Sequence, residues 1–66
     1  MNITVNHETK TLAEATSLDQ LLGDLKISTQ GIAVAINNQI ITKTQWGNTP
    51  LHENDNVTII QATQGG

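Results

Sequence analysis

Leu18, Leu21, Leu22 and Leu25 recur at i, i+3, i+4 and i+7, and this 66-residue chain carries that period nowhere else. Four leucines so spaced make the single apolar stripe of an amphipathic helix. Ser17 stands just before them and Gln20 three residues later. That is the spacing of a capping box, in which the serine oxygen takes a backbone N–H and the glutamine reaches back. The spacing predicts a helix over 18–26, with Asp19 near its positive end and Lys26 near its negative end. Gly23 lies inside and costs about 1 kcal/mol against alanine; it either admits a close strand or is merely tolerated. One helix with one greasy stripe cannot stand alone. The rest of the chain must supply the surface that covers it.

The rest alternates with a period of two. Ile3 and Val5 between Asn2, Thr4 and Asn6 read as a half-buried strand over 2–6. Asn6-His7-Glu8 is a turn, and residues 9–14 read as an edge strand of weaker pattern. Ile32-Ala33-Val34-Ala35-Ile36 is apolar on both faces, as strands inside a sheet are. Asn37-Asn38 is a turn, because asparagine tolerates left-handed geometry. Residues 39–42 are a short strand. Residues 43–48 are a turn or short helical segment in which Trp46 caps the core at the sheet's end rather than stacking a ligand. Pro50 marks a break, Leu51 is buried, 53–56 is a turn, and 57–62 is the last strand. The order β, β, α, β, short β, β makes an α+β fold of the β-grasp architecture. It is a mixed sheet of four to five strands with the helix on one face. The first and last strands lie side by side at the centre, and the third flanks the last. The domain spans 1–62, and 63–66 is a flexible tail.

Composition excludes several classes. A single domain of this size buries only about 60% of its unfolded surface, so a deep private active site has no room. There is no cysteine, which removes a disulfide framework, a thiolate metal site and a thiol nucleophile; this fits a cytoplasmic protein. No signal peptide pattern opens the chain and no apolar run reaches membrane-spanning length. The formal charge is -3 with three lysines and no arginine. That balance, with one aromatic residue, argues against nucleic acid and for a basic cleft on a protein partner. His7 and His52 sit in polar turns without metal-site spacing, so no metal is expected. The six carboxylates are scattered over turns and helix, and no buried acid–base pair is proposed. Lys43 is a possible partner contact, with a solvated lysine the ordinary reading.

The chain ends Gln61-Ala62-Thr63-Gln64-Gly65-Gly66. Two residues without Cβ form the thinnest backbone available, and the α-carboxylate beyond them is unhindered. A carboxylate is inert until activated, so such an end reads as a handle for another enzyme. The plain alternative is an end that merely frays. Strand alternation adds a second candidate. If Ile3, Val5, Ile32, Val34, Ile36, Val57 and Ile59 face the helix, then Ala33, Ala35, Ile60 and Ala62 face away, as an apolar patch leading to the tail. An exposed patch of this kind fits a partner, although single surface apolar residues are ordinary.

Taken in order, several stretches resemble the ThiS sulfur carriers of thiamine biosynthesis, within the ubiquitin-like β-grasp group. They are Ser17-Leu18-Asp19-Gln20-Leu21-Leu22, Val34-Ala35-Ile36-Asn37-Asn38-Gln39-Ile40-Ile41, Lys43-Thr44-Gln45-Trp46, the run from Leu51 through Ile59, and Gly65-Gly66. The likeness covers essentially the whole chain. Asn54-Asp55 stands where the family usually has Gly-Asp, and asparagine suits the same left-handed position. Thr42-Lys43 replaces a frequent Pro-Arg and loses any bidentate contact an arginine made.

The resemblance implies that an E1-like partner of the ThiF type, using ATP, adenylates the Gly66 carboxylate. Sulfur from a donor then makes a thiocarboxylate, which is surrendered at a thiazole synthase of the ThiG type. This chain would be a co-substrate and not an enzyme. It has no phosphate-cradling glycine loop, so ATP binds on the partner, and it has no cofactor of its own. Thr63, Gln64 and Gly65 would thread the partner's channel; the four tail residues extended reach roughly 13 Å. Two alternatives stay open: a MoaD-type carrier for molybdopterin, and a non-covalent ubiquitin-like interaction module. Monomer is the default for a carrier that must leave one enzyme for another.

Overall fold

A computed structural model describes residues 1–28 and 30–61. Strands β1 (Asn2–Val5) and β2 (Glu8–Thr11) form a hairpin, followed by helix α1 (Leu18–Asp24). Strands β3 (Ile32–Ile36) and β4 (Gln39–Ile41), a 3₁₀ segment (Lys43–Asn48) and β5 (Asn56–Gln61) complete the chain. All five strands lie in one sheet, in the order β2-β1-β5-β3-β4. β1 and β5 are parallel, with Thr4 beside Asn56 and Val5 beside Val57; the remaining neighbours are antiparallel. This is the expected β-grasp, with the first and last strands joined in the middle and the third flanking the last.

Local chemistry fixes the turns. Asn6 and His7 (φ 50° and 73°) join β1 to β2, and Asn37 and Asn38 (φ 52° and 70°) join β3 to β4. Both are two-residue turns in the left-handed region, whose twist matches that of the flanking strands. Asn54 is left-handed too, at φ 69°, as its place before Asp55 led us to expect. The capping box forms in full: the Gln20 N–H donates to Ser17 Oγ at 3.2 Å and the Ser17 N–H to Gln20 Oε1 at 3.0 Å.

The core is continuous. Leu18, Leu21 and Leu22 of α1 bury against Ile3 and Val5 of β1, Val34 of β3 and Val57 of β5, closed by Trp46 and Leu51. Ile32, Ile36 and Ile59 pack partly buried around it. Trp46 is 3% exposed, and its Nε1–H donates to the Ile41 carbonyl at 3.0 Å, so the one polar atom of a buried indole is satisfied.

Several boundaries differ from the sequence pattern, each for a local reason. The helix ends at Asp24 rather than 26. Lys26 takes φ 58° and lies outside it, its N–H bonded to the Gly23 carbonyl at 3.1 Å. It therefore ends the helix as a left-handed residue does instead of offsetting the dipole from within the last turn. β2 covers 8–11 rather than 9–14. Leu12 still exchanges two bonds with Met1, and the chain then turns through Ala15 at φ 65°. β4 stops at Ile41, because Thr42 leads directly into the 3₁₀ segment. Gly23 is exposed, and a Cβ there would meet nothing within 4 Å, so it admits no close strand.

One carboxylate is not where the pattern put it. Asp55 is 9% exposed. Its Oδ2 accepts the His52 N–H at 2.8 Å and its Oδ1 accepts Asn37 Nδ2 at 3.1 Å. The Asn56 N–H donates to Asn37 Oδ1 at 3.0 Å, and the Asn37 N–H to the Asn56 carbonyl at 2.8 Å. Asp55 thus ties the turn before β5 to the β3–β4 turn. Glu53 ties that same turn to β1, both its oxygens accepting the Asn2 N–H at 3.1 Å. Among the described residues no helix is long and apolar enough to cross a membrane.

Two outcomes follow from these contacts. Gly23→Ala should stabilise the fold by about 0.5–1 kcal/mol, because it restricts the unfolded chain and meets no clash; a lower midpoint in urea would contradict the open site. Asp55→Ala should destabilise by about 1–3 kcal/mol, since it strands the His52 N–H and the Asn37 amide without acceptors. A loss below that range, read from the same titration, would show that the tie contributes little.

Candidate functional site

β5 runs out of the centre of the sheet and delivers the chain to its last residues. Ala62, Thr63, Gln64, Gly65 and Gly66, which include the expected reactive end and all of the expected threading segment, lie outside the described residues. What the fold positions is the strand that leads to them and the sheet face beside it.

Side chains alternate across a strand. With Ile3, Val5, Val34 and Val57 turned to the helix, the opposite face carries Thr9 and Thr11 of β2, then Asn2 and Thr4 of β1. Asn56, Thr58 and Ile60 of β5, Ala33 and Ala35 of β3, and Ile40 of β4 complete it. None of these is charged. On the side of β2 and β1 two side-chain bonds cross between strands: Thr4 Oγ1 donates to Asn56 Oδ1 of β5, and Thr11 Oγ1 to Asn2 Oδ1, both at 3.0 Å. The other half is apolar. Ala33 and Ile60 are direct cross-strand partners, both exposed, with Ile60 at 53%.

The apolar half is not quite the patch that the alternation gave. Ala35 has the right direction but is only 7% exposed. It lies between Thr58 and Ile40 in the register, and their longer side chains stand above its methyl group. Ile40, which the sequence pattern did not single out, is 62% exposed and supplies the surface that Ala35 lacks. Its place was legible in principle. A two-residue turn at Asn37-Asn38 sets Ala35 opposite Ile40, which puts both on one face. Ala62 lies outside the described residues.

The remaining candidates are dispersed. His7 is exposed in the β1–β2 turn, and Lys43 is exposed at the start of the 3₁₀ segment. The exposed His52 ring stands with Nδ1 3.8 Å from Asp55 Oδ2, a contact between neighbours in one turn. Among the described residues no three of His, Cys, Asp and Glu gather as a metal site.

A sheet with an uncharged outer face, one strand of which leads into a terminal Gly-Gly, can present its end to another protein. The comparisons agree with that geometry. The family model described as ThiS matches residues 3–66. The sulfur carrier protein ThiS of Escherichia coli (strain K12) is 30% identical over 66 residues, covering the whole of both chains. The crystal structure of the thiamine biosynthesis protein ThiS from Geobacter metallireducens superposes with a TM-score of 0.86 at 28% identity over the full length of both. An NMR solution structure of a thiamine biosynthesis protein from that organism gives a TM-score of 0.79 at 28% identity, covering all of this chain and 88% of that one. With a family match through Gly66 and the same fold, this chain belongs to the ThiS family of sulfur carriers, which act as co-substrates and not as enzymes.

Proposed function

We propose that the chain carries sulfur to thiazole formation in thiamine biosynthesis, as a thiocarboxylate on Gly66. The observation that carries this is the family match running through Gly66, on a fold whose central strand β5 leads into that end. The chemistry needs a partner at each step. A carboxylate oxygen of Gly66 attacks the α-phosphate of ATP on an E1-like enzyme of the ThiF type, and pyrophosphate leaves. Sulfur at the sulfide level, supplied by a donor, then attacks the acyl carbon; the acyl carbon–oxygen bond breaks and AMP leaves with that oxygen. The sulfur passes on at a thiazole synthase of the ThiG type.

Each part of this chain has a limited task. Gly65 and Gly66 present no side chain to obstruct a narrow channel. Thr63 and Gln64 span the distance between the body and the reacting carbon. Ala33 and Ile60, joined by Ile40, form the apolar surface on which the adenylating enzyme rests, and burial of such surface favours association. ATP is held by the partner, and the exchange takes place in the cytoplasm. The relatives named above are thiamine proteins, which favours thiazole over molybdopterin as the destination.

ATP–pyrophosphate exchange catalysed by the ThiF-type enzyme tests the reading. The full chain should support exchange, and the chain lacking Gly66 should not, because the carboxylate then falls one residue short. A non-covalent docking module would show no exchange in either case. Ile60→Asp should fold with little change in midpoint, since Ile60 is more than half exposed, and should raise the KM of exchange about tenfold through the lost apolar contact. An unchanged KM would remove the sheet face from the docking surface.

A further inference from the structure

β5 outruns its neighbour. β1 ends at Val5 and turns away, while β5 continues to Gln61. On that side Asn6 takes over for two more groups: its N–H donates to the Val57 carbonyl and its Oδ1 accepts the Ile59 N–H, both at 2.9 Å. Backbone groups alternate sides along a strand. The Ile59 carbonyl and the Gln61 N–H and carbonyl therefore point the same way as those two bonded groups. Among the described residues they meet no partner. A groove of about 470 Å³ opens beside them, lined chiefly by Val5, Leu25, Ile27, Ile32, Ile59 and Gln61. Among the described residues that line it no side chain is charged, and Ile27 stands 38% exposed at its rim.

We propose that this half-edge and its groove are one docking slot. Its occupant is an extended, uncharged segment of the enzyme that adenylates Gly66, whose backbone adds as a strand beside Ile59–Gln61 while one bulky aliphatic side chain enters the groove. The slot rests on the carrier reading and adds to it a second contact, on the opposite side of the sheet from Ile60.

Three features select that occupant. Backbone donors and acceptors at a two-residue repeat match an extended chain, and an open strand edge is a template for one. The described lining of the groove is mostly apolar, with Asn6, Ser28 and Gln61 its polar members, and none of it is charged, so a charged side chain would lose its hydration there without an ionic partner. The chain beyond Gln61 is five residues long and extended reaches roughly 17 Å. Any enzyme acting on its terminal carboxylate must therefore lie against the end of β5. The chain's own end offers Ala62, Thr63, Gln64, Gly65 and Gly66, none of which carries a bulky aliphatic side chain. A second copy would bring another formal charge of -3 against the first. Strand addition would also hold β5 straight, so that the carboxylate arrives at a fixed distance from the body.

The test uses the full chain, labelled with ¹⁵N, and the ThiF-type enzyme. Complex formation should slow exchange of the Gln61 amide about tenfold or more. Gln61→Pro deletes that N–H without touching the β3 side and should raise the KM of ATP–pyrophosphate exchange about fivefold, whereas Gln61→Ala, which keeps it, should stay near the parent value. Ile27→Asp should raise KM about tenfold with kcat held, and circular dichroism should show all three variants folded. Unprotected Gln61, or Gln61→Pro and Ile27→Asp with the parent KM, would overturn the slot while leaving the carrier reading in place. Absence of exchange with the unaltered chain would overturn both. A dimer of the chain alone that Ile27→Asp dissolves would overturn the slot in favour of a second copy.

Discussion

The parallel pairing of β1 with β5 joins the first residues to the last strand, with Thr4 set beside Asn56 and Val5 beside Val57. Everything else is arranged so that this non-local contact can hold. Loop closure over most of the chain has an entropic cost, and a small domain has little apolar surface with which to offset it. Ile3, Val5 and Val57 meet the leucine stripe of α1 directly beneath the pairing. Glu53, Asp55 and Asn6 then bond the two strands at both ends of the contact. The sheet is thus stitched where it is topologically hardest to make.

That stitching also sets the division of labour. The helix face is consumed by the core, and among the described residues nothing covers the opposite face. Its described residues carry no charge, and two side-chain hydrogen bonds cross between strands on its polar part. A partner that lands on Ala33, Ile40 and Ile60 displaces water from apolar surface and meets no charged group among the described residues. The end of β5 lies at the border of both faces. A carrier needs an end that can be reached and a body that can be gripped, and a β-grasp provides both by placing its last strand in the middle of the sheet and letting it run out at one end.

Much of this could be read from the residues because local and global signals agree. The capping box, the leucine period, the two asparagine turns and the alternation of β1, β3 and β5 each point to one element, and together they give the topology. What could not be read depends on tertiary neighbours. Asp55 looks like any turn carboxylate until Asn37 and the His52 N–H close on it. Lys26 has a helix former's identity, yet it takes a left-handed φ because the chain must turn back toward β3. Ala35 and Ile40 exchange roles as surface because residue size, not direction alone, decides what a partner can touch. The Asn6 side chain, which continues the sheet where β1 has stopped, was legible only as a turn residue.

The most direct test is the intact mass of the chain made in bacteria together with its ThiF-type enzyme and a sulfur donor. The carrier reading predicts a gain matching replacement of one oxygen by sulfur, located at Gly66 by fragmentation and absent when Gly66 is deleted. An unmodified mass, with no adenylate formed on the same enzyme, would contradict it.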